Sequence, residues 1–260
     1  MKHVLIATPT AGQVVTSAYA TTLINATRVL TASGLDYHHA TFDGADIVMA
    51  RNYLANRALL DAGCGWVLWI DSDMAIPAAV FTRMFQFDQP FVGGVYTERN
   101  LDIERYAQFR MQGFPEGQAR ALSTNFNVRL DRGQMTVRNG FCAARGVGFG
   151  CVLMQRTLLE RLARSDQTRE VPSGKLMGLG LPERMVDFFS ELPREDGGYL
   201  SEDYSFCARV SAIGETVWVL ADVQLGHVGR FEYGGSFLEQ LKGRQILKER
   251  AATDDPSENA

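Results

Sequence analysis

The distribution of apolar residues along the first half of the chain predicts strands alternating with helices. Short apolar runs bounded by turn residues predict strands, and apolar residues repeating every three or four positions predict helices. The segment "WVLWI" is apolar without alternation, which is typical of a strand buried on both faces. Such an alternation predicts right-handed βαβ units around a parallel sheet. The predicted strands are residues 3–9, 36–43, 66–70 and 91–96, and the predicted helices are residues 16–33, 46–62 and 77–87.

The pattern of the second half is less regular. Residues 105–140 contain β-like runs, and Asp131-Arg132-Gly133 predicts the turn of a hairpin. Residues 171–199 are rich in glycine and proline, which predicts a loop. Residues 251–260 have the composition of a disordered tail, so residues 1–250 are predicted to form one domain. Further strands are predicted at residues 150–155 and 216–221, and further helices at residues 157–164, 201–214 and 236–250.

Composition narrows the class of protein. Apolar residues make up 46% of the 260 positions, enough for a sizeable core, and a net charge of -4 argues against broad attraction to nucleic acid or anionic lipid. The four cysteines form no C-x-x-C pair, so we expect free, mostly buried thiols in a reducing cytosol.

No apolar run suits a signal peptide or a membrane span, so we expect a cytoplasmic protein without stable membrane insertion. A group of basic residues in the last predicted helix leaves peripheral contact with a membrane open, although a solvated face is the simpler interpretation. These residues are Lys242, Arg244, Lys248 and Arg250.

Two carboxylates, Asp71 and Asp73, follow the most apolar predicted strand with only Ser72 between them. In open α/β sheets, ligands bind at the carboxyl ends of the strands. Side chains two apart in an extended chain point the same way, so the pair would form an oxygen-rich site for Mg²⁺ or Mn²⁺. The alternative is a polar strand end in which Asp73 caps the next helix.

Three downstream segments carry further candidate chemistry. Gly146, Gly148 and Gly150 precede a predicted strand and would let backbone approach a ligand, or would form an ordinary turn. Glu202-Asp203 opens a predicted helix after Ser201, where acids also favour the helix dipole. His227 follows a predicted strand and is either a metal ligand or a structural histidine.

Together, "ARNYLANRALL…WVLWIDSDM" and "SEDYSFCARVSAIGE…LGHVG" resemble the metal-dependent GT-A glycosyltransferases, near the bacterial and phage members of glycosyltransferase family 2. The resemblance spans roughly residues 3–235. It implies an α/β fold in which helices flank a Rossmann-like, mostly parallel sheet, with a small β-rich region on the acceptor side. It also implies transfer of a sugar from a nucleotide-diphospho-sugar, with a UDP-sugar as the expected donor. The acceptor would be a hydroxyl of a glycan, a lipid-linked sugar, a small molecule or a modified nucleic acid.

The resemblance assigns roles residue by residue. Asp71, Asp73 and His227 would bind Mn²⁺ or Mg²⁺, Asp203 would be the catalytic base, and Glu202 would orient a substrate. The family usually has an acidic cluster with serine after the second strand, whereas this chain has "FDGAD", which leaves Asp43 and Asp46 as alternatives for the nucleobase. The implied contacts to nucleotide and donor sugar are Thr8, Pro9, Thr10, Asp43, Arg51, Asn52, Asp71, Ser72 and Gly148.

Gly174, Gly178 and Gly180 predict that residues 171–199 are mobile and close over the donor, with Lys175 or Arg194 reaching the leaving phosphates. A sugar-nucleotide nucleotidyltransferase is a rival, but it would need basic residues in a glycine-rich loop after the first strand, and "TPTAGQVV" has none. A dehalogenase-type phosphatase would need Thr or Val where Met74 and Ala75 stand. A non-catalytic carbohydrate-binding protein on a degenerate fold is the rival that is not an enzyme.

Overall fold

The computed structural model describes residues 2–130, 137–194, 196–229 and 232–253. Helices cover both faces of a central sheet. The strands are β1 (His3–Thr10), β2 (Tyr37–Asp43), β3 (Cys64–Ile70), β4 (Met74–Ala75), β5 (Phe91–Gly94), β6 (Val128–Arg129), β7 (Val137–Arg138), β8 (Phe141–Ala144), β9 (Gly146–Val147), β10 (Cys151–Gln155), β11 (Arg169–Pro172), β12 (Arg184–Asp187), β13 (Val217–Leu220), β14 (Gly226–Val228) and β15 (Glu232–Gly234). The helices are α1 (Ser17–Ala32), α2 (Ile47–Leu60), α3 (Ala78–Phe87), α4 (Ile103–Met111), α5 (Glu116–Leu122), α6 (Arg156–Ala163), α7 (Glu202–Ala212) and α8 (Phe237–Thr253), with a 3₁₀ helix at Gly174–Leu179.

The central sheet has the strand order β2-β1-β3-β10-β5-β13-β8-β7. β1 pairs in parallel with β2 and β3, and β5 pairs in parallel with β13. β10 runs antiparallel between β3 and β5, and β8 runs antiparallel to β13 and β7. The other strands of this sheet therefore share one direction. The predicted α/β class, with a mostly parallel central sheet flanked by helices, is confirmed.

Strand β3 is buried on both faces, as its unbroken apolar run predicts. Val67 and Trp69 belong to a core cluster that includes Leu54 of α2. Leu68 and Ile70 belong to a second cluster on the other face, with Leu30 of α1. The strand thus lies in the middle of the molecule, and its carboxyl end delivers Asp71 to one edge of the sheet.

The β-rich reading of residues 105–140 is wrong for its first part, which forms α4 and α5. Asp102 caps α4 by accepting the N–H of Arg105 at 2.9 Å. Phe109, Phe114 and Leu122 form a small cluster of their own. Among the described residues, the two strands of the predicted hairpin do not pair with each other, because β6 pairs with β9 and β7 pairs with β8. Its turn at residues 131–133 lies outside the described residues.

Residues 171–199 are more ordered than a loop. β11 and β12 form an antiparallel hairpin that encloses the 3₁₀ helix. The hairpin is anchored to α2, because Tyr53 donates its hydroxyl to the carbonyl of Leu179 at 3.1 Å and Asn56 bonds both backbone groups of Val186. The helix predicted to end at Arg250 continues to Thr253.

The structure also bears on the predictions for the cysteines and for a membrane span. Cys64, Cys142, Cys151 and Cys207 are all free and buried, as predicted. In the part of the chain that the structure describes, no helix combines the length and apolar character needed to cross a membrane.

Candidate active site

The Asp71-Ser72-Asp73 segment is a turn at the carboxyl end of β3. The N–H of Met74 donates to the carbonyl of Asp71 at 3.2 Å, so the chain bends instead of continuing extended. The predicted reason for pairing the two carboxylates, alternation along an extended chain, is therefore wrong. The alternative prediction, that Asp73 caps the next helix, is wrong too, because Pro77 occupies the N-cap of α3.

Asp73 meets His227 through a short ladder between β4 and β14. Met74 pairs with His227 in this ladder, and Val228 donates its N–H to the carbonyl of Asp73 at 2.8 Å. The Nε2 atom of His227 lies 3.4 Å from Oδ2 of Asp73. On the other side of the ring, Nδ1 lies 2.9 Å from the carbonyl oxygen of Thr97. Because a carbonyl only accepts, the neutral ring carries its proton on Nδ1 and its lone pair on Nε2.

Tyr96 supports the histidine and explains two of the glycines. Its ring meets the ring of His227 edge to face at 5.3 Å, and its hydroxyl accepts the N–H of Gly150 at 3.1 Å. A Cβ atom on Gly148 would lie 2.3 Å from the Tyr96 hydroxyl, and one on Gly150 would lie 2.8 Å from its ring. The glycines therefore allow Tyr96 to pack closely, which is a different reason from the predicted approach to a ligand.

Arg51 of α2 joins the two acidic segments. Its terminal nitrogens donate to both carboxylate oxygens of Asp71, at 3.2 and 3.3 Å. Its Nε atom lies 3.1 Å from Oδ1 of Asp203 and 3.6 Å from Oε1 of Glu202. The contact with Asp203 is an approach of opposite charges and not an aligned hydrogen bond. Arg51 is buried, with 2% of its surface exposed, and its guanidinium lies 5.2 Å from the ring centre of Phe149. It is therefore a buried cation between the acid after β3 and the two acids that open α7.

Asp203 is held at the start of α7 by the glycine-rich segment. Its Oδ2 atom accepts the N–H of Phe149 at 3.0 Å, while Ser201 at the N-cap makes no side-chain hydrogen bond to the helix. Burial raises the pKa of Asp203 to about 7, against the lowering effect of Arg51, and the negative charges of Glu202 and Asp71 raise it further. A carboxylate with such a pKa exchanges a proton near neutral pH, which is the property of a general base.

The carboxyl ends of β1 and β2 form the neighbouring part of the edge. Asp43 Oδ1 accepts the Thr10 hydroxyl at 3.2 Å and the Gln13 N–H at 2.8 Å. Thr16 donates its N–H to the carbonyl of Ser72 at 2.9 Å, so the loop after β1 contacts the turn after β3. Asp46 instead caps α2 by accepting the Met49 N–H. The structure thus places Asp43, and not Asp46, at the edge.

Other residues assigned to the donor lie in the fold's interior. The Thr8 hydroxyl is within 2.6 Å of the Tyr19 hydroxyl and fully buried, and Pro9 is buried in the same strand. Asn52 accepts the N–H groups of Phe188 and Phe189 and donates to Asp187. Thr8 and Asn52 therefore use their polar groups to hold internal segments in place.

Sequence reasoning missed Arg99 and Tyr96. The Nη1 atom of Arg99 lies 3.1 Å from Oδ2 of Asp73, and about half of the Arg99 side chain is exposed. Both residues follow β5, which ends at the same edge of the sheet as β3. Their place directly after a predicted parallel strand could have identified them, because side chains that follow parallel strands lie at the same edge of the sheet.

A groove of about 780 Å³ runs along α7 on its outer side. Leu200 and Tyr204, which line it, flank Glu202 and Asp203 in sequence. The described lining includes none of the residues assigned to the nucleotide or the metal. The remaining described lining residues are Arg129, Leu130, Ala144, Arg145, Ala208 and Ser211.

The three metal ligands implied by the resemblance do not form a compact set. Asp73 and His227 are adjacent, whereas Asp71 faces Arg51. Within the described residues, the one group of three ligating side chains whose ligand atoms all lie within 4.8 Å of one another is a different one, His3, His38 and Asp61. Neither of these histidines is among the ligands that the resemblance implies.

Comparison with known proteins gives structural similarity alone. No family model matches the chain, and no curated protein matches it. The chain is similar to A197 from STIV, with 13% identity, a TM-score of 0.45, and coverage of 87% of this chain and 86% of the other. It is also similar to the catalytic domain of Drosophila beta1,4galactosyltransferase 7, solved in complex with xylobiose, with 10% identity, a TM-score of 0.43, and coverage of 91% and 71%.

A third similar structure is a glycosyltransferase involved in the glycosylation of the major capsid of PBCV-1. It has 10% identity and a TM-score of 0.32, and the alignment covers 61% of this chain and 63% of the other. At these levels of identity, none of the three indicates which residues of this chain act. The chemistry has to be inferred from the side chains described above.

Proposed function

We propose that this protein is a metal-dependent glycosyltransferase that moves a sugar from a nucleotide-diphospho-sugar, with UDP as the expected nucleotide, to a hydroxyl acceptor. The observation that carries the proposal is the pair formed by Asp73 and His227. The lone pair of His227 Nε2 faces a carboxylate oxygen at 3.4 Å. Two electron-rich atoms at that distance repel each other unless a proton or a cation lies between them.

The residues at this position fit Mn²⁺ or Mg²⁺. Carboxylates suit both ions, and the imidazole favours Mn²⁺ over Mg²⁺, which prefers oxygen ligands. The carbonyl of Thr97 fixes the ring of His227 by accepting the hydrogen bond of Nδ1, as a carbonyl behind a metal-binding histidine commonly does. Asp73 and His227 would hold the ion. Asp71 is the candidate for a third ligand, because each carboxylate oxygen keeps a lone pair beyond its bond to Arg51.

When bound, the ion would neutralise the nucleoside diphosphate as it leaves. Arg99 is positioned to assist, because its half-exposed guanidinium already lies against Asp73 and can donate two parallel hydrogen bonds to a phosphate. Asp43, Thr10 and Ser72 line the neighbouring edge, where the nucleoside would bind.

Asp203 would accept the proton of the acceptor hydroxyl as the new glycosidic bond forms. A hydroxyl is a weak nucleophile at neutral pH, and a positioned base contributes roughly a hundred- to ten-thousand-fold in rate. Arg51 would keep Asp203 and Glu202 at a fixed distance from Asp71 and therefore from the donor. Glu202 would then orient the acceptor or the donor sugar.

The test is release of nucleoside diphosphate from a panel of nucleotide sugars, with and without Mn²⁺. We expect metal-dependent donor hydrolysis with at least one UDP-sugar, and none with Asp73→Asn. A protein that is stabilised by a nucleotide sugar but never turns it over would be a carbohydrate-binding protein instead. Release of pyrophosphate from a nucleoside triphosphate and a sugar phosphate would identify a nucleotidyltransferase.

A further inference from the structure

A second cluster of ligating side chains lies at the opposite end of the sheet from the candidate active site. His3 begins β1, His38 lies in the adjoining edge strand β2, and Asp61 directly follows α2. β1 has 8 residues. At about 3.3 Å per residue, its length separates this cluster by roughly 20 Å from the edge that carries Asp43.

The three side chains converge closely. The Nε2 atom of His3 lies 2.9 Å from Oδ2 of Asp61, and the rings of His3 and His38 stack with centroids 4.1 Å apart and planes tilted by 28°. One ligand atom from each of the three lies within 4.8 Å of the others. The other carboxylate oxygen of Asp61 accepts the N–H of Gly63 at 2.9 Å, which fixes the orientation of the carboxylate.

The buried member of the cluster has an unsatisfied nitrogen. His3 is 9% exposed, and its Nε2 atom has no aligned hydrogen-bond partner among the described residues, although it points at Asp61. The backbone holds it there, because the His3 N–H donates to the carbonyl of Gly63 at 2.9 Å. A Cβ atom on Gly63 would come within 3.1 Å of the His3 ring, so this turn is packed against the imidazole.

We propose that His3, His38 and Asp61 bind a transition-metal ion of the Zn²⁺ class, with water in the fourth position. Two imidazole nitrogens and one carboxylate oxygen are a ligand set that Zn²⁺ prefers, whereas Mg²⁺ prefers oxygen alone. A bound ion would connect the first strand, the edge strand and the end of α2. The ion would therefore stabilise this end of the sheet, independently of the proposed transfer reaction.

The required movement is small. Tetrahedral ligands about 2.0–2.2 Å from zinc are roughly 3.4 Å apart. His3 and Asp61 are already closer than that, and the other pairs lie within 4.8 Å, so they have to approach by at most about 1.5 Å. His38 is exposed and Asp61 is half-buried, so these two side chains can move toward the ion. His3 provides the fixed position because its strand is buried.

The experiment uses untagged full-length protein freed of metal by a chelator. Zinc affinity is measured by competition with a chromophoric chelator, and the melting temperature is measured with and without zinc. We expect zinc to raise the melting temperature, and we expect His38→Ala and Asp61→Asn each to lower zinc affinity by at least about tenfold. Both positions are at the surface edge, and each variant provides a second test if the other folds poorly.

Two control variants separate this site from other histidines. His39→Ala changes the adjacent residue, whose ring contacts Tyr19 and Thr8 instead, and should leave zinc affinity unchanged. His227→Ala removes the active-site histidine and should leave the zinc-dependent rise in melting temperature intact. Equal zinc affinity in the wild type and His38→Ala, or loss of stabilisation only in His227→Ala, would overturn the proposal. Co²⁺ absorption typical of four ligands, lost in His38→Ala, would support it.

Discussion

Arg51 lies with Nε 3.1 Å from the carboxylate of Asp203, while its two terminal nitrogens hold Asp71. One buried cation thus faces three acids, because Glu202 is also within 3.6 Å. With all groups ionised, this cluster carries an excess of negative charge in a poorly solvated place. The excess explains why the pKa of Asp203 is raised even beside an arginine.

Replacing Arg51 is expected to destabilise the fold. Arg51→Met leaves buried carboxylates without their partner, and breaking a buried ion pair in this way costs about 3–5 kcal/mol. Arg51→Lys keeps the charge but cannot hold Asp71 with two nitrogens, so we expect a smaller loss of stability and a large loss of activity. The measurement is urea unfolding at pH 8, followed by donor turnover.

Arg57→Ala is the matched control for Arg51. Arg57 is on the same helix but is exposed, and within the described residues its polar and ring contacts are with Tyr53 alone. Its replacement should change the free energy of unfolding by no more than about 0.5 kcal/mol. Similar stability of the Arg51→Met and Arg57→Ala proteins would show that Arg51 does not neutralise the acidic cluster.

The turnover number should rise with pH through about 7 and level off above it. Asp203 must be ionised to accept a proton, and burial raises its pKa to about 7. Asp203→Asn should remove most of the activity and this pH dependence, while Glu202→Gln should mainly raise the Michaelis constant of one substrate. If Asp203→Asn keeps more than about a tenth of the wild-type turnover number, a change of less than roughly 1.4 kcal/mol, Asp203 is not the base.

The same shift has a consequence for stability. When the pKa of a carboxyl group is higher in the folded than in the unfolded protein, its contribution to stability is fully present at pH values below the unfolded pKa. That contribution is lost as the pH rises through the folded pKa. For Asp203 the loss falls between about pH 4 and pH 7. Asp203→Asn should therefore show a weaker decline in stability than the wild type over this range, measured by urea unfolding at pH 5 and pH 8.

Much of the fold could be predicted from the sequence because local patterns determine it. The apolar run of β3, the helix before it and the acids after it are each visible within a few residues. The misassigned α4 shows the limit of such patterns. Tyr106 and Phe109 are residue types common in strands, and the stronger signal was Asp102, which caps the helix.

The candidate site was predictable in its location and less so in its contacts. Residues after parallel strands converge on one edge, so Asp71, Asp73 and Asp43 could be grouped. The pairing of Asp73 with His227 depends on the register between β4 and β14, two strands too short to recognise in the sequence. The connection of Arg51 to Asp203 depends on how α2 and α7 pack, which no local pattern encodes.

Metal binding should require both Asp73 and His227. Asp73→Asn and His227→Ala should each weaken Mn²⁺ binding, which is measured from the electron paramagnetic resonance signal of free Mn²⁺. Both variants should also lose the rise in melting temperature that a nucleotide causes in the wild type. Asp73→Asn should remain folded because Asp73 is partly exposed. Full activity in excess EDTA would exclude a metal-dependent reaction.

Arg99→Ala should weaken binding of the nucleoside diphosphate without affecting the fold. Its guanidinium is half exposed and contacts Asp73 across the proposed metal position, so its removal costs little stability. We expect the affinity for UDP to fall about tenfold, corresponding to one lost charge-assisted hydrogen bond of about 1.5 kcal/mol. Arg120→Ala, which removes an exposed arginine paired with Glu116 in α5, is the control and should bind UDP normally. Equal UDP affinity in both variants would remove Arg99 from the site.

Closure over the donor should be confined to the residues just before α7. The segment between β11 and β12 cannot move freely, because Tyr53 and Asn56 anchor it to α2. Residues 191–194 and 196–200 are anchored to Ser205 of α7 at Leu192 and Leu200, at the two ends of the segment. Between these ends the backbone bonds of Arg194 stay within the segment, and Tyr199 is 66% exposed. Ordering of this segment by a donor would exclude water from the reacting atoms. Hydrogen exchange with saturating UDP-sugar and Mn²⁺ should therefore slow in peptides that cover residues 191–200 and stay constant in those that cover residues 173–189. Protection of the peptides that cover residues 173–189 would mean that the lid closes elsewhere, and protection of neither group would mean that it does not close. Asp73→Asn is the control. It does not retain the donor, so neither group of peptides should be protected in this variant.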